Sequence, residues 1–156
     1  MSLPAPRPRV EIKLLDSRLH AWGLPRYQSA AAAAIDLHAC LDAPLTISPH
    51  SSPALISAGF AVHMADPHLA ALVLPRSGMG HKRGLVLGNL VGLIDPDYTG
   101  PIMVSAWNRG EADVVLEPGE RFAQMMFVPV IRPELAPVDE FSAVSARGAG
   151  GFGSTG

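Results

Sequence analysis

Cysteine is almost missing from this sequence of 156 residues: Cys40 stands alone, so no internal disulfide can form and a reducing compartment is expected. Aromatic residues reach only 6% and charged residues 17%, with a formal net charge of −2. No block of Lys or Arg stands out, which argues against nucleic-acid binding through phosphate neutralisation. No apolar run approaches the ~20 residues that would span a bilayer. Met1 to Arg9 is rich in proline and carries arginine without an apolar centre, so no signal peptide is expected. A cytoplasmic protein with no membrane and no nucleic-acid partner follows as the expectation. Any polyanionic ligand must then be held by a few placed cations, by backbone amides or by a metal.

What the chain does have is apolar residues, at 48%, and 15 each of Gly and Pro, which break the apolar runs into short pieces. One domain of this length would bury about 70% of its unfolded surface. Val10–Leu15 alternates with a period of two and reads as a strand, as do the short strand-like runs Ile35–Ala39, Leu45–Ile47, Ala54–Ile56, Phe60–His63, Leu69–Leu74, Val114–Leu116 and Arg121–Val130. Turn signals such as Ser48-Pro49, Ala58-Gly59 and Asp66-Pro67 separate several of them. The alanine-rich Ser29–Ala34 is too short to nucleate a helix unaided and reads as loop. Cys40, behind Ile35-Asp36-Leu37, reads as a small core residue, and the histidines show no zinc spacing. The fold class expected is all-β: a single domain of sandwich or barrel type.

Three stretches break this rhythm. In Pro75-Arg76-Ser77-Gly78-Met79-Gly80-His81-Lys82-Arg83-Gly84, Ser77 suits a helix N-cap and Gly84 a stop, predicting one short helix. The amides at its start, beside Arg76, would suit an anion. Asn89 through Gly100 runs from an apolar segment into Asp95-Pro96-Asp97-Tyr98-Thr99-Gly100, after which Ile102, Val104 and Ala106 alternate with Met103, Ser105 and Trp107. The Pro-Asp-Tyr-Thr-Gly piece reads as a hairpin loop that offers a carboxylate, a ring and free backbone groups in a small volume. Arg147 through Gly156 carries Arg, Phe, Ser and Thr on a glycine backbone, the composition of a lid that orders over a phosphate ligand.

Taken in order, five segments resemble the motifs of the trimeric dUTPase family (deoxyuridine triphosphate nucleotidohydrolases). They are Ala34–Ala39; Pro75–Gly78 with Lys82 and Gly84; Asn89–Gly100 with Asn108; Pro118–Gln124; and Arg147–Gly156, ending Gly-Gly-Phe-Gly-Ser-Thr-Gly. The resemblance runs from about Ile12 to Gly156. It implies a distorted barrel or jelly roll of the β-clip type over residues 1–144, with a glycine-rich arm over 145–156 closing a neighbouring subunit's site. It also implies hydrolysis of dUTP to dUMP and pyrophosphate, which lowers dUTP and supplies dUMP for thymidylate synthesis. Mg2+ on the triphosphate and a homotrimer with active sites between subunits are implied as well.

By the same resemblance, Asp95 is the water-activating carboxylate and Arg147 offsets charge on the distal phosphates. Asn89 is implied as a uracil contact, with Leu93, Ile94 and Met103 lining the pocket and Tyr98 lying against the deoxyribose. Arg76, Ser77 and Gly78 match the phosphate-binding segment and Gln124 a position near it. Phe152 would stack on uracil, and Gly153, Ser154 and Thr155 would add phosphate contacts. Asp36 is implied to support the metal indirectly, through water and the triphosphate. The chain departs from the family pattern at Ala34, where glycine is usual; a positive φ there would make the alanine costly. Two rivals remain to be separated. A dCTP deaminase-like enzyme would need a buried acid–base glutamate, and a non-catalytic dUTP-binding regulatory module would be expected to lack Asp95, Arg147 or the arm.

Overall fold

The computed structural model describes residues 8–143, 145 and 148–149. Ten strands form: β1 (Glu11–Leu14), β2 (Ile35–His38), β3 (Leu45–Ile47), β4 (Ala54–His63), β5 (Leu69–Pro75), β6 (Leu85–Leu87), β7 (Gly92–Ile94), β8 (Pro101–Asn108), β9 (Val114–Leu116) and β10 (Arg121–Pro129). Two short helices join them, α1 (Leu19–Trp22) and α2 (Ser77–Arg83). One four-stranded sheet has the order β1-β4-β8-β6, a second β2-β10-β5-β7, and β3-β9 makes a two-stranded ribbon. Every pairing is antiparallel. The all-β expectation holds.

Alternation explains the core. Along β8, Ile102, Val104 and Ala106 are buried while Pro101 and Met103 face out. Both large sheets feed one apolar cluster, with Phe60, Ile102 and Val104 from the first and Leu37, Val73, Phe122 and Met125 from the second. Each such side chain contributes roughly 1.5–3 kcal/mol of burial free energy, so the strands are held by facing sheets more than by their own propensities. The amide of Asn108 is fully buried among them. Its nitrogen donates to the carbonyls of Ile47 and Ala112, each at 2.8 Å, and its oxygen accepts from the Gly110 N–H at 2.8 Å. That pins the end of β8 against β3.

Three local expectations need correction. Ala58-Gly59 does not separate two strands: β4 runs through it, and the register shifts there between Ser57 and Ala61. Gly59 sits at φ +80°, so the glycine serves a bulge instead of a turn. The residues around Asp95 do not form a hairpin, because β7 pairs with β5 while β8 pairs with β4 and β6. The loop is instead a corner that carries the chain from one sheet to the other. Ser77 is the first helical residue of α2, not its cap; Arg76 holds the cap position in an extended conformation, without a side-chain capping bond. The one-turn α1 and the three-residue β6 carried too little pattern to be read from sequence.

Other expectations hold. Ser29–Ala34 is irregular, and α2 does end at Gly84, which takes φ +74°. A Cβ at Gly84 would meet the Gly110 backbone nitrogen at 2.6 Å, so shape and conformation both demand glycine there. Ala34 is not among the positive-φ residues, so it incurs no such strain. Burial pushes the Cys40 thiol up to about 11, as befits a packed side chain rather than a nucleophile.

Candidate active site

The second sheet brings three motif segments together at one end. Asp36 on β2 and Gln124 on β10 are direct register partners, and β10 also pairs with β5, whose last residue Pro75 lies opposite Ala123. Arg76 follows immediately. Asp36, Arg76, Ser77, Gly78, Met79 and Gln124 line a single small cavity of about 270 Å3. The sheet therefore assembles residues that are distant in sequence because strand pairing places them side by side.

Within this cavity Arg76 is held in place. Its Nε lies 2.9 Å from Asp36 Oδ1, and one terminal nitrogen donates to the Arg121 carbonyl at 2.9 Å. The ion pair and the hydrogen bond hold the guanidinium in position, and neither uses its remaining terminal N–H groups, which can meet oxygens. Arg121 reaches the other Asp36 oxygen at 3.1 Å. Asp36 is thus a carboxylate bridging two guanidiniums, with a side chain only 14% exposed. Gln124 donates from Nε2 to the Pro75 carbonyl at 2.9 Å, which fixes its amide and leaves the carbonyl oxygen unused by that bond. Arg121 was not singled out in the sequence as a site residue, although it lies within the fourth segment.

Gly78 adds an independent observation. It lies in the first turn of α2, where glycine costs roughly 1 kcal/mol relative to alanine. Yet a Cβ at Gly78 would meet no heavy atom within 4 Å, and its φ is not positive. No described residue fills that space. The open side of Gly78, beside unpaired first-turn amides and the free edge of Arg76, has the shape and charge of an oxyanion cradle.

Asp95 lies elsewhere. Ile94 is level with Ala71 on β5, and Asp95, the next residue after β7, lines one cavity with Ala70. From there to Arg76 is about 20 Å at a strand rise of ~3.3 Å per residue. Asp95 is exposed and lines a different cavity, of about 640 Å3, together with Leu93, Asp97, His63 and Arg132. Ile94 turns its side chain to the core, so only its backbone is available to a ligand. Tyr98 and Met103 are exposed at 42% and 36%. Asn89 is exposed in the turn before β7, next to Leu90, which adopts φ +65°. Arg147, Phe152, Gly153, Ser154 and Thr155 lie outside the described residues.

A protein cage for a metal is not present among the described residues, where no group of three or more His, Cys, Asp or Glu side chains converges. Asp36 nonetheless suits an outer role. Oδ2 accepts from Arg121 and Oδ1 is ion-paired with Arg76, and each oxygen keeps a lone pair that could accept from a water. The donor set fits a hydrated Mg2+ carried on phosphate oxygens, and does not fit one gripped directly by the protein.

The comparisons with known proteins agree with this architecture. The dUTPase family model matches residues 20–156. A deoxyuridine 5'-triphosphate nucleotidohydrolase of Ralstonia pickettii is 60% identical over 148 residues, covering 95% of this chain and 98% of that protein. A protein of the same name from Burkholderia multivorans is 57% identical over the same coverage. Among solved structures, the dUTPase of Staphylococcus bacteriophage 80alpha with dUPNHPP superimposes with a TM-score of 0.84 at 27% identity, covering 96% of this chain and 99% of that one. With the family model spanning most of its length and relatives of this identity, the chain belongs to the dUTPase family.

Proposed function

We propose that this protein hydrolyses dUTP to dUMP and pyrophosphate in active sites shared between the subunits of a homotrimer. The observation that carries the reading is the braced Arg76 beside the vacant side of Gly78. A guanidinium fixed by Asp36 and by the Arg121 carbonyl, beside a glycine whose Cβ would meet no described residue within 4 Å, suits phosphate oxygens. Family membership and the names of the relatives support the nucleotide and the reaction.

The bond that breaks joins the α- and β-phosphates, since dUMP and pyrophosphate are its two sides. Asp95, exposed at the sheet corner, orients a water and accepts its proton as the new oxygen–phosphorus bond forms. Arg76 and the first-turn amides of α2 hold the phosphate oxygens and take up negative charge that develops on them. Mg2+, held through water by Asp36, would neutralise further charge on the triphosphate. Main-chain groups of β7 read the uracil edge, while Asn89 and Met103 shape the slot and Tyr98 lies against the deoxyribose. Arg147 would offset charge on the distal phosphates, and the glycine-rich arm would close the site over the attacking water and keep bulk solvent out.

The separation of about 20 Å between Asp95 and Arg76 supports the shared arrangement. One copy cannot bring both to the same phosphate, whereas a neighbouring copy can supply the missing half. Neither helix of the described chain is long and apolar enough to cross a membrane; the single cysteine suits a reducing compartment such as the cytoplasm. Pyrophosphate release from dUTP, dCTP, dTTP and UTP, with and without Mg2+, tests the reading. Turnover of dUTP alone, dependent on the metal, is expected. Ammonia release from dCTP would mark a deaminase instead, and dUTP binding without turnover a regulatory module.

A further inference from the structure

We propose that Gly100 and the Pro101 carbonyl together form the seat of the Tyr98 ring, and that Gly100 is thereby a positioning residue for discrimination against ribose. This rests on the reading of Tyr98 as the group against the sugar. A Cβ placed on Gly100 would lie 2.5 Å from Tyr98 Oη, 2.7 Å from Cζ and 3.0 Å from Cε2. Its three nearest neighbours are all atoms of that one ring. The Gly100 backbone is not in the left-handed region, so main-chain conformation does not demand glycine here. What demands it is the ring lying across it.

The hydroxyl end is fixed as well. Tyr98 Oη donates to the Pro101 carbonyl at 2.9 Å, and Tyr98 N–H donates to the Asp95 carbonyl at 3.1 Å. Pro101 begins β8 and is registered against Ala61 on β4, so the acceptor belongs to the sheet and not to the loop. The ring thus spans the corner from the Asp95 turn to the first residue of β8, with its outer surface left exposed. A methyl group at Gly100 has to displace the ring by about 1 Å to restore ordinary carbon contacts of 3.5–4.0 Å. That movement breaks the bond to Pro101 and changes the clearance over the sugar, while no core residue is disturbed.

The test measures kcat/KM for dUTP and for UTP in the full-length protein and in Gly100→Ala, Tyr98→Phe, Tyr98→Ala and the Gly100→Ala/Tyr98→Ala double variant, with thermal melting of each. Gly100→Ala is expected to lower the dUTP:UTP ratio by about tenfold, chiefly through gained UTP turnover, with melting nearly unchanged. Tyr98→Phe should lower the ratio less, because the ring stays. In the Tyr98→Ala background the alanine should add nothing. An unchanged ratio in a folded Gly100→Ala, where Tyr98→Ala does relax it, overturns the proposal alone. An equal further drop in the ring-less background also overturns it. If Tyr98→Ala leaves the ratio intact, the reading of Tyr98 falls and the proposal with it. Should Gly100→Ala fail to fold, an unaltered ratio in Tyr98→Phe overturns the seat.

Discussion

The two halves of the candidate site are built in opposite ways. Around Asp36, positions are fixed by tertiary contacts: two guanidiniums on one carboxylate, a guanidinium on the Arg121 carbonyl and an amide on the Pro75 carbonyl, drawn from three adjacent strands. Around Asp95 the holding contacts are local. A turn bond joins residues three apart, and the Tyr98 ring reaches only three residues on, to the first residue of β8. The phosphate half is therefore preorganised by the sheet, at the cost of desolvating charges that must stay paired. The corner half is exposed, and its geometry depends on a few residues of turn chemistry. If the two clusters act as proposed, binding and bond-breaking can be damaged separately.

The largest effect should come from separating them outright. Asp95→Asn is expected to lower kcat by about 10²–10⁴ with dUTP affinity kept, as calorimetric titration with a non-hydrolysable analogue would report. Copies carrying Asp95→Asn and copies carrying Arg76→Ala should each be nearly inactive alone. Refolded together in equal amounts they should recover activity, since about a quarter of shared sites would be intact by random assortment in a closed symmetric assembly. No recovery in verified mixed trimers would mean that each subunit works alone.

A smaller loss should follow from Arg121→Ala, which removes one of the two partners of Asp36 without touching Arg76. At roughly 1 kcal/mol for a half-exposed pair, KM for dUTP should rise by about fivefold with kcat little changed. An equal fall in kcat would make Arg121 part of the chemistry instead of its scaffold.

The smallest effect concerns a region outside the site. Arg18, hydrogen-bonded to Asp16 at 2.6–3.1 Å, lowers the Asp16 carboxyl from its ordinary 3.8 to about 2. A depressed value in the folded chain stabilises it fully above pH ~4, and that stabilisation is lost as pH falls towards about 2. Asp16→Asn should therefore flatten the acid limb of a melting-temperature profile between those values and leave dUTP turnover unchanged. An unaltered acid limb would remove this ion pair from the account.

How much of this was legible in the sequence depends on how far each interaction reaches. β8 announced itself because alternation is local, and α2 because Gly84 stops it locally. The phosphate segment was legible as a motif, yet the bracing of Asp36 by Arg121 was not, since the partners are 85 residues apart and meet only through strand register. Gly59 was misread because a glycine in a bulge and one in a turn look alike until the pairing strand is known. The corner at Asp95 was misread as a hairpin for a related reason. Two alternating runs around a turn give the same pattern whether they pair with each other or with strands of different sheets.

That corner has a consequence of its own. Because the residues from Asp95 to Gly100 are the hinge pin between two layers, the carboxylate inherits its position from how those layers sit on one another. A core substitution that slides one layer by a fraction of an ångström would move the reacting group without unfolding anything. On the proposed role of Asp95, interior packing far from the nucleotide would thus be part of what aims the attack.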